Sequence, residues 1–190
     1  YLHSHDTGRY IQPMGHAVPT PHLQQLAEEG YLFRQAFCAA PTCSPSRAAL
    51  LTGQAAHSSG MLGLAHRGFA LNDYAQHLVT TLKAAGYHTV LAGMQHVAAG
   101  EDGPQIVGYD ETLERPNTQA ANVSAAAEAF LDAKPTEPFF LDVGYSETHL
   151  KFPEMPEEAA RYVRSPDPLP DTPEIRRMTA GYHESARRMD

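Results

Sequence analysis

Two short, largely apolar runs each follow a helix-like stretch: Tyr87 to Leu91 after residues 72–85, and Phe139 to Val143 after residues 122–133. This alternation constrains the fold more than any other feature of the chain. A run that lacks a regular polar side, set between turn residues such as Pro138 and Gly144, reads as a strand covered on both faces. Strands of that kind separated by helices predict an α/β fold, a mostly parallel sheet sandwiched by helices.

The remaining elements fit the same pattern. Tyr1 to His5 reads as the end of a first strand. Thr20-Pro21 opens a helix with Leu23, Leu26 and Ala27 on one face, Gly30 closes it, and Tyr31 to Phe37 reads as extended. In the helix over 72–85, Leu78 and Leu82 are expected inward. Asp171-Thr172-Pro173-Glu174 has the form of a capping box opening a last helix that runs to Asp190, after a proline-rich surface excursion from Phe152 to Pro173. The sequon Asn122-Val123-Ser124 falls inside a helix and reads as incidental.

Composition narrows the partners. With 190 residues, 42% hydrophobic and 19% charged, the chain can bury a sizeable core. A formal net charge of -8 argues against nucleic acid and against anionic membrane surfaces. No stretch reaches the roughly 20 apolar residues of a membrane span. The two cysteines, Cys38 and Cys43, make no disulfide framework and match no structural zinc spacing. Compartment is not legible.

Ligands of open α/β sheets gather beyond the carboxyl ends of the strands. His5 and Asp6 follow the first strand, His96 follows the second run, and His149 follows the third. The other eight histidines, His3, His57 and His66 among them, lack that placement and are read as structural or unassigned. Together with Cys43 and Arg47, four residues apart at a helix start, the three positions predict a metal ligand, an anion clamp and acid/base groups in one cleft.

The string Pro41-Thr42-Cys43-Ser44-Pro45-Ser46-Arg47-Ala48-Ala49-Leu50-Leu51-Thr52-Gly53 resembles the sulfatase signature at every position. TPHLQQLAEEGYLFRQAF before it and PFFLDVGY after it extend the resemblance over essentially the whole chain, closest to the bacterial branch related to heparan N-sulfatase and the arylsulfatases. The resemblance implies an alkaline-phosphatase-like fold and oxidation of Cys43 to formylglycine by a dedicated enzyme. It implies hydrolysis of a sulfate ester or sulfamate by the aldehyde hydrate, on a small molecule or a saccharide. It places Arg47 on the sulfate, His96 on the hydrate and His149 on the sulfate or the leaving group, and it gives Asp6, His5 and the modified Cys43 to a divalent metal. Calcium is the family's usual ion.

Three positions depart from the family pattern. His5 stands where an aspartate is usual, which leaves zinc or manganese open. Met94 replaces a lysine aimed at the sulfate, and Ser146 replaces a histidine. Glu147 reads as a surface carboxylate. The resemblance also implies that residues 1–190 are the N-terminal part of a catalytic domain, truncated at both ends and inactive alone, with further ligands in a later region. Competing expectations are a phosphate or phosphonate monoester hydrolase on the same fold, a non-catalytic sulfatase-like binding protein, and a zinc or redox protein using Cys38 and Cys43.

Overall fold

The computed structural model describes residues 1–190. In chain order its principal elements are β1 (Leu2–His3), α1 (Pro21–Glu29), α2 (Cys43–Thr52), α3 (Ala56–Ser59), α4 (Leu78–Ala84), β2 (His88–Gly93), α5 (Gly103–Val107), β3 (Glu111–Thr112), α6 (Ala120–Asp132), β4 (Phe139–Gly144), α7 (Glu157–Ala160) and α8 (Pro173–Met189). They fall into two compact units. The first comprises Tyr1–His3 and Gln35–Tyr145, the second Ser4–Arg34 and Ser146–Asp190.

The first unit is built on a four-stranded, all-parallel sheet of order β1-β4-β2-β3, as the alternation predicts. Side chains alternate across a pleated strand, so each strand feeds two layers. Val90 and Ala92 of β2 join Leu141 and Val143 of β4 against Val123 and Ala127 of α6. Leu91, with Phe140 of β4 packed alongside, joins Ala48 and Leu51 of α2, Val79 of α4 and Val107 of α5 on the other side. The same period puts Asp142, fully buried, on the α2 face of β4.

Two glycines let β2 and β4 end in contact. Gly93 has φ 104°, and a Cβ there would collide with the Gly144 carbonyl. At Gly144 a Cβ would strike the Met94 carbonyl and lie 2.6 Å from His3 Cε1. Any side chain at 144 therefore displaces the His3 ring.

Boundaries differ from expectation in several places. The first strand ends at His3, because the backbone of His5 bonds within the second unit, accepting from Thr148 N–H at 2.5 Å. The helix expected over 72–85 starts at Leu78, with a separate 3-10 turn over Tyr74–Gln76. That later start turns Val79 inward and leaves Leu78 37% exposed. The buried imidazole of His77 caps this helix, its Nδ1 accepting from Val79 N–H at 3.2 Å. No strand forms over residues 31–37.

In the second unit, α1 forms where expected, yet none of its residues is buried and Leu26 is 60% exposed. Its cap comes from far along the chain: the Asp190 carboxylate accepts from Leu23 N–H at 2.8 Å and His22 N–H at 3.1 Å. Helix α8 is capped by Thr172, whose hydroxyl accepts from Ile175 N–H at 3.2 Å. The capping box read at Asp171 is thus displaced by one residue. Asp171 instead pairs with Arg176, whose hydrogen bonds hold its carboxyl down at about 2. Tyr182 of α8 donates to the Thr7 carbonyl at 2.7 Å, fixing the loop after Asp6.

Candidate active site

Helix α2 begins at Cys43 because Thr42 is extended (φ -108°) and its carbonyl accepts from Ser46 N–H at 2.9 Å. Pro45 sits in the first turn, where a missing N–H costs nothing. Thr42 places no side-chain cap over this turn. Gly53, at φ 68°, closes the helix by donating to the Ala49 carbonyl at 2.9 Å. Ala48 and Leu51 bury one stripe, while Cys43 is half-buried and Arg47 stands one turn further along. Both cysteines are free thiols.

Arg47 is nearly buried and meets a chain of polar groups inside the first unit. Its Nη1 lies 2.5 Å from His3 Nδ1. His3 Nε2 lies 2.9 Å from Asp142 Oδ1, and the Tyr109 hydroxyl donates to Asp142 Oδ2 at 2.5 Å. Tyr1 stacks on the His3 ring at 4.8 Å between centroids. Burial, then the charge of Asp142, pushes the Tyr109 hydroxyl far up, so it remains a donor.

His96 follows β2 by three residues on a loop that Gln95 braces from within. The buried Gln95 amide accepts from Val97 and Ala98 N–H at 2.5 and 2.9 Å and donates to the Ala98 carbonyl at 2.6 Å. His96 itself takes a left-handed backbone, φ 59°, an uncommon state for a side-chain-bearing residue that concentrates at functional positions. A ring nitrogen of His96 is within 4.8 Å of Cys43 Sγ. His66 lies beside it, Nδ1 to Nε2 3.4 Å with parallel rings, on a turn whose Ala65 N–H donates to the buried Ser44 hydroxyl at 3.1 Å. Met94 only donates its N–H to the Gly144 carbonyl, 3.0 Å away.

The second unit assembles His5, Asp6 and His149. His5 N–H donates to the Glu147 carbonyl at 2.7 Å, which draws residues 5 and 149 together; their rings meet edge to face at 4.6 Å. Asp6 Oδ1 lies 3.0 Å from His5 Nδ1, and its Oδ2 lies 3.8 Å from His149 Nε2. Asp6, like His96, is left-handed (φ 59°). His149 Nδ1 donates to the Leu150 carbonyl at 2.6 Å, which leaves Nε2 as a lone-pair donor. The three side chains offer ligand atoms all within 4.8 Å of one another, a geometry suited to holding a cation. The Glu147 side chain bonds Ser146, 3.4 Å away.

Each predicted residue therefore has neighbours of the expected chemistry in its own unit: Cys43, Arg47 and His96 in the first, His5, Asp6 and His149 in the second. Four neighbours escaped the sequence reading: His3, His66, Tyr109 and Asp142. For Asp142 a signal was available, a lone carboxylate inside a buried strand, which needs partners to be tolerated there. His3 and His66 carried none, since their pairings depend on the fold.

An all-parallel sheet covered by helices on both faces is an α/β architecture that solved structures share. A protein bound to its substrate D-glucosamine-2-N,6-O-disulfate superposes with TM-score 0.67 at 19% identity, over 88% of this chain and 38% of that one. A phosphonate monoester hydrolase from Silicibacter pomeroyi gives 0.62 at 19%, over 90% and 52%. The sulfatase family profile matches residues 6–190, and the chain belongs to the sulfatase family. Human N-sulphoglucosamine sulphohydrolase is 35% identical over 138 residues, 70% of this chain. The chain spans 28% of that relative's length.

Proposed function

We propose that the whole protein hydrolyses a sulfuric acid ester or sulfamate, with residue 43 matured to formylglycine. The observation that carries this reading is Cys43 on the first turn of a helix whose Arg47 is locked into a buried polar chain, within an unbroken signature string. The hydrated aldehyde supplies an oxygen nucleophile that a thiol does not. Arg47 holds the sulfate oxygens and neutralises charge that grows on them as the bond to the leaving group breaks. His96, beside residue 43, orients the hydrate and accepts its proton. His149 takes up a proton from solvent on Nε2 and then passes it to the departing alcohol or amine.

His5 and Asp6 would hold a divalent cation, which would supply neutralisation of sulfate charge. Two imidazoles and one carboxylate differ from the oxygen shell that calcium takes and suit zinc or manganese better. The fixed tautomer of His149 leaves its Nε2 able to share that ion or to act on the leaving group. A sulfated saccharide is the substrate class supported by the named relatives, a sulphoglucosamine hydrolase and a glucosamine disulfate complex.

Mass spectrometry of the peptide containing residue 43, from protein matured beside a formylglycine-generating enzyme, tests the modification directly. Turnover of aryl sulfates over aryl phosphates and phosphonates tests the reaction. An unmodified cysteine in a protein that still cleaves sulfate esters ends the proposal, and a preference for phosphonates transfers it to the phosphonate hydrolases.

A further inference from the structure

Arginine only donates hydrogen bonds, so the His3 Nδ1 that faces Arg47 Nη1 at 2.5 Å is the acceptor and carries no proton. The ring proton then sits on Nε2, pointing at Asp142 Oδ1 2.9 Å away. Tyr109 donates to the other carboxylate oxygen at 2.5 Å. Arg47 Nη1 also lies 3.5 Å from His3 Nε2, but its shorter approach to Nδ1 and the carboxylate facing Nε2 give the series Tyr109, Asp142, His3, Arg47 one consistent pattern of donation. Asp142 has no solvent exposure, and a buried carboxylate persists only where hydrogen bonds and an opposite charge compensate it. Here the nearest cation in the series is Arg47, reached through a neutral imidazole.

The surroundings hold His3 in that role. Tyr1 stacks on one side of its ring, and Gly144 leaves the room that a methyl group would fill. Asp142 sits in the middle of the rigid six-residue strand β4, paired with Leu91 in register. The anchor is therefore in the sheet, while the guanidinium it controls is on α2.

We infer that Asp142 and His3, backed by Tyr109, are positioning residues that fix the direction of the Arg47 guanidinium before sulfate arrives. This rests on the reading of Arg47 as the sulfate clamp. Neither residue touches the reacting atoms. Their effect is to hold Arg47 with one N–H committed to His3, so that its remaining donors keep one orientation, and to remove the search over rotamers that a free arginine would make on binding.

Three measurements on the whole protein decide it. In the first, nitrogen NMR of labelled imidazoles reports the His3 tautomer: Nε2–H with an unprotonated Nδ1 is expected, and Nδ1–H overturns the inference without any assay of activity. In the second, Asp142→Asn keeps the shape but removes the charge. A fall in kcat/KM and a weakening of inorganic sulfate binding, each of about 10–100-fold as for other supporting residues, are expected with little change in melting temperature. Values within about twofold of the parent overturn it. In the third, Asp142→Asn is added to Arg47→Ala. A residue acting through Arg47 costs nothing further in sulfate affinity, whereas losses that multiply refute the coupling.

Should Asp142→Asn fail to fold, His3→Asn serves in its place: it keeps an acceptor near the Nδ1 position and cuts the link to Asp142, with the same loss expected. A parent that neither binds sulfate nor cleaves its esters defeats the functional reading, and the tautomer spectrum still reports on the polar chain.

Discussion

The polar group around Arg47 and the group around Asp6 use the same residue types in opposite ways. In the first unit the Asp142 and His3 side chains are 1% and 10% exposed, and their hydrogen-bonding positions are occupied by protein. In the second unit the Asp6 and His149 side chains are about half exposed, and His149 keeps a lone pair on Nε2. A network closed on protein partners suits a group that fixes geometry, and one that keeps a lone pair suits a group that takes a ligand. The proposed division, one group orienting and the other binding, follows this difference, although both read as His plus Asp.

The largest effect that sharpens the contrast falls on neither group. Cys43→Ala leaves no aldehyde precursor, so sulfate ester turnover is abolished while the circular dichroism spectrum and melting temperature stay near the parent. Next comes the cation. Chelation costs on the order of 10³-fold in kcat, as expected for several kcal/mol of charge stabilisation, and zinc or manganese restores activity better than calcium. His5→Asp reverses that order of rescue; rescue by calcium alone in the parent breaks the assignment of His5 as a nitrogen ligand. Third, His149→Ala slows turnover by about 10²-fold. The deficit shrinks for aryl sulfates whose leaving groups need no proton, and a uniform deficit assigns His149 to the metal instead.

A smaller effect belongs to the first unit's interior. Burial pushes His77 down to about 4. As pH falls, the unfolded chain takes up the proton near the ordinary value of 6.5, before the folded one does. Stability present above pH 6.5 is therefore lost between there and about pH 4, by on the order of 3 kcal/mol. His77→Asn keeps an acceptor for Val79 N–H and should flatten this slope in denaturant titrations at pH 7 and 5. Smallest is Thr172→Ala, which removes the α8 cap and costs about 1 kcal/mol by thermal melting.

The layered fold was legible because Val90, Ala92, Leu141 and Val143 are apolar in a pattern only a covered strand tolerates. The positions of Cys43, His5, Asp6, His96 and His149 followed from the signature and from the strand ends. Their partners did not. Asp142 and His3 are 139 residues apart, so the lone carboxylate in a buried strand announces that a partner is needed and not which residue supplies it. Leu78 departs from its inward assignment for a different reason, while Leu82 is half-buried: helix α4, capped by His77, starts late and buries Val79 in place of Leu78. Likewise the Leu23, Leu26 and Ala27 face of α1 was read correctly as a pattern, yet it is not buried.

The carboxylate of Asp190 that serves the amides of His22 and Leu23 has a practical consequence. An expression boundary drawn even one residue upstream would strip α1 of its acceptor, 167 positions away in the chain, and deuterium uptake at residues 22 and 23 would rise although no residue near them in sequence had been altered.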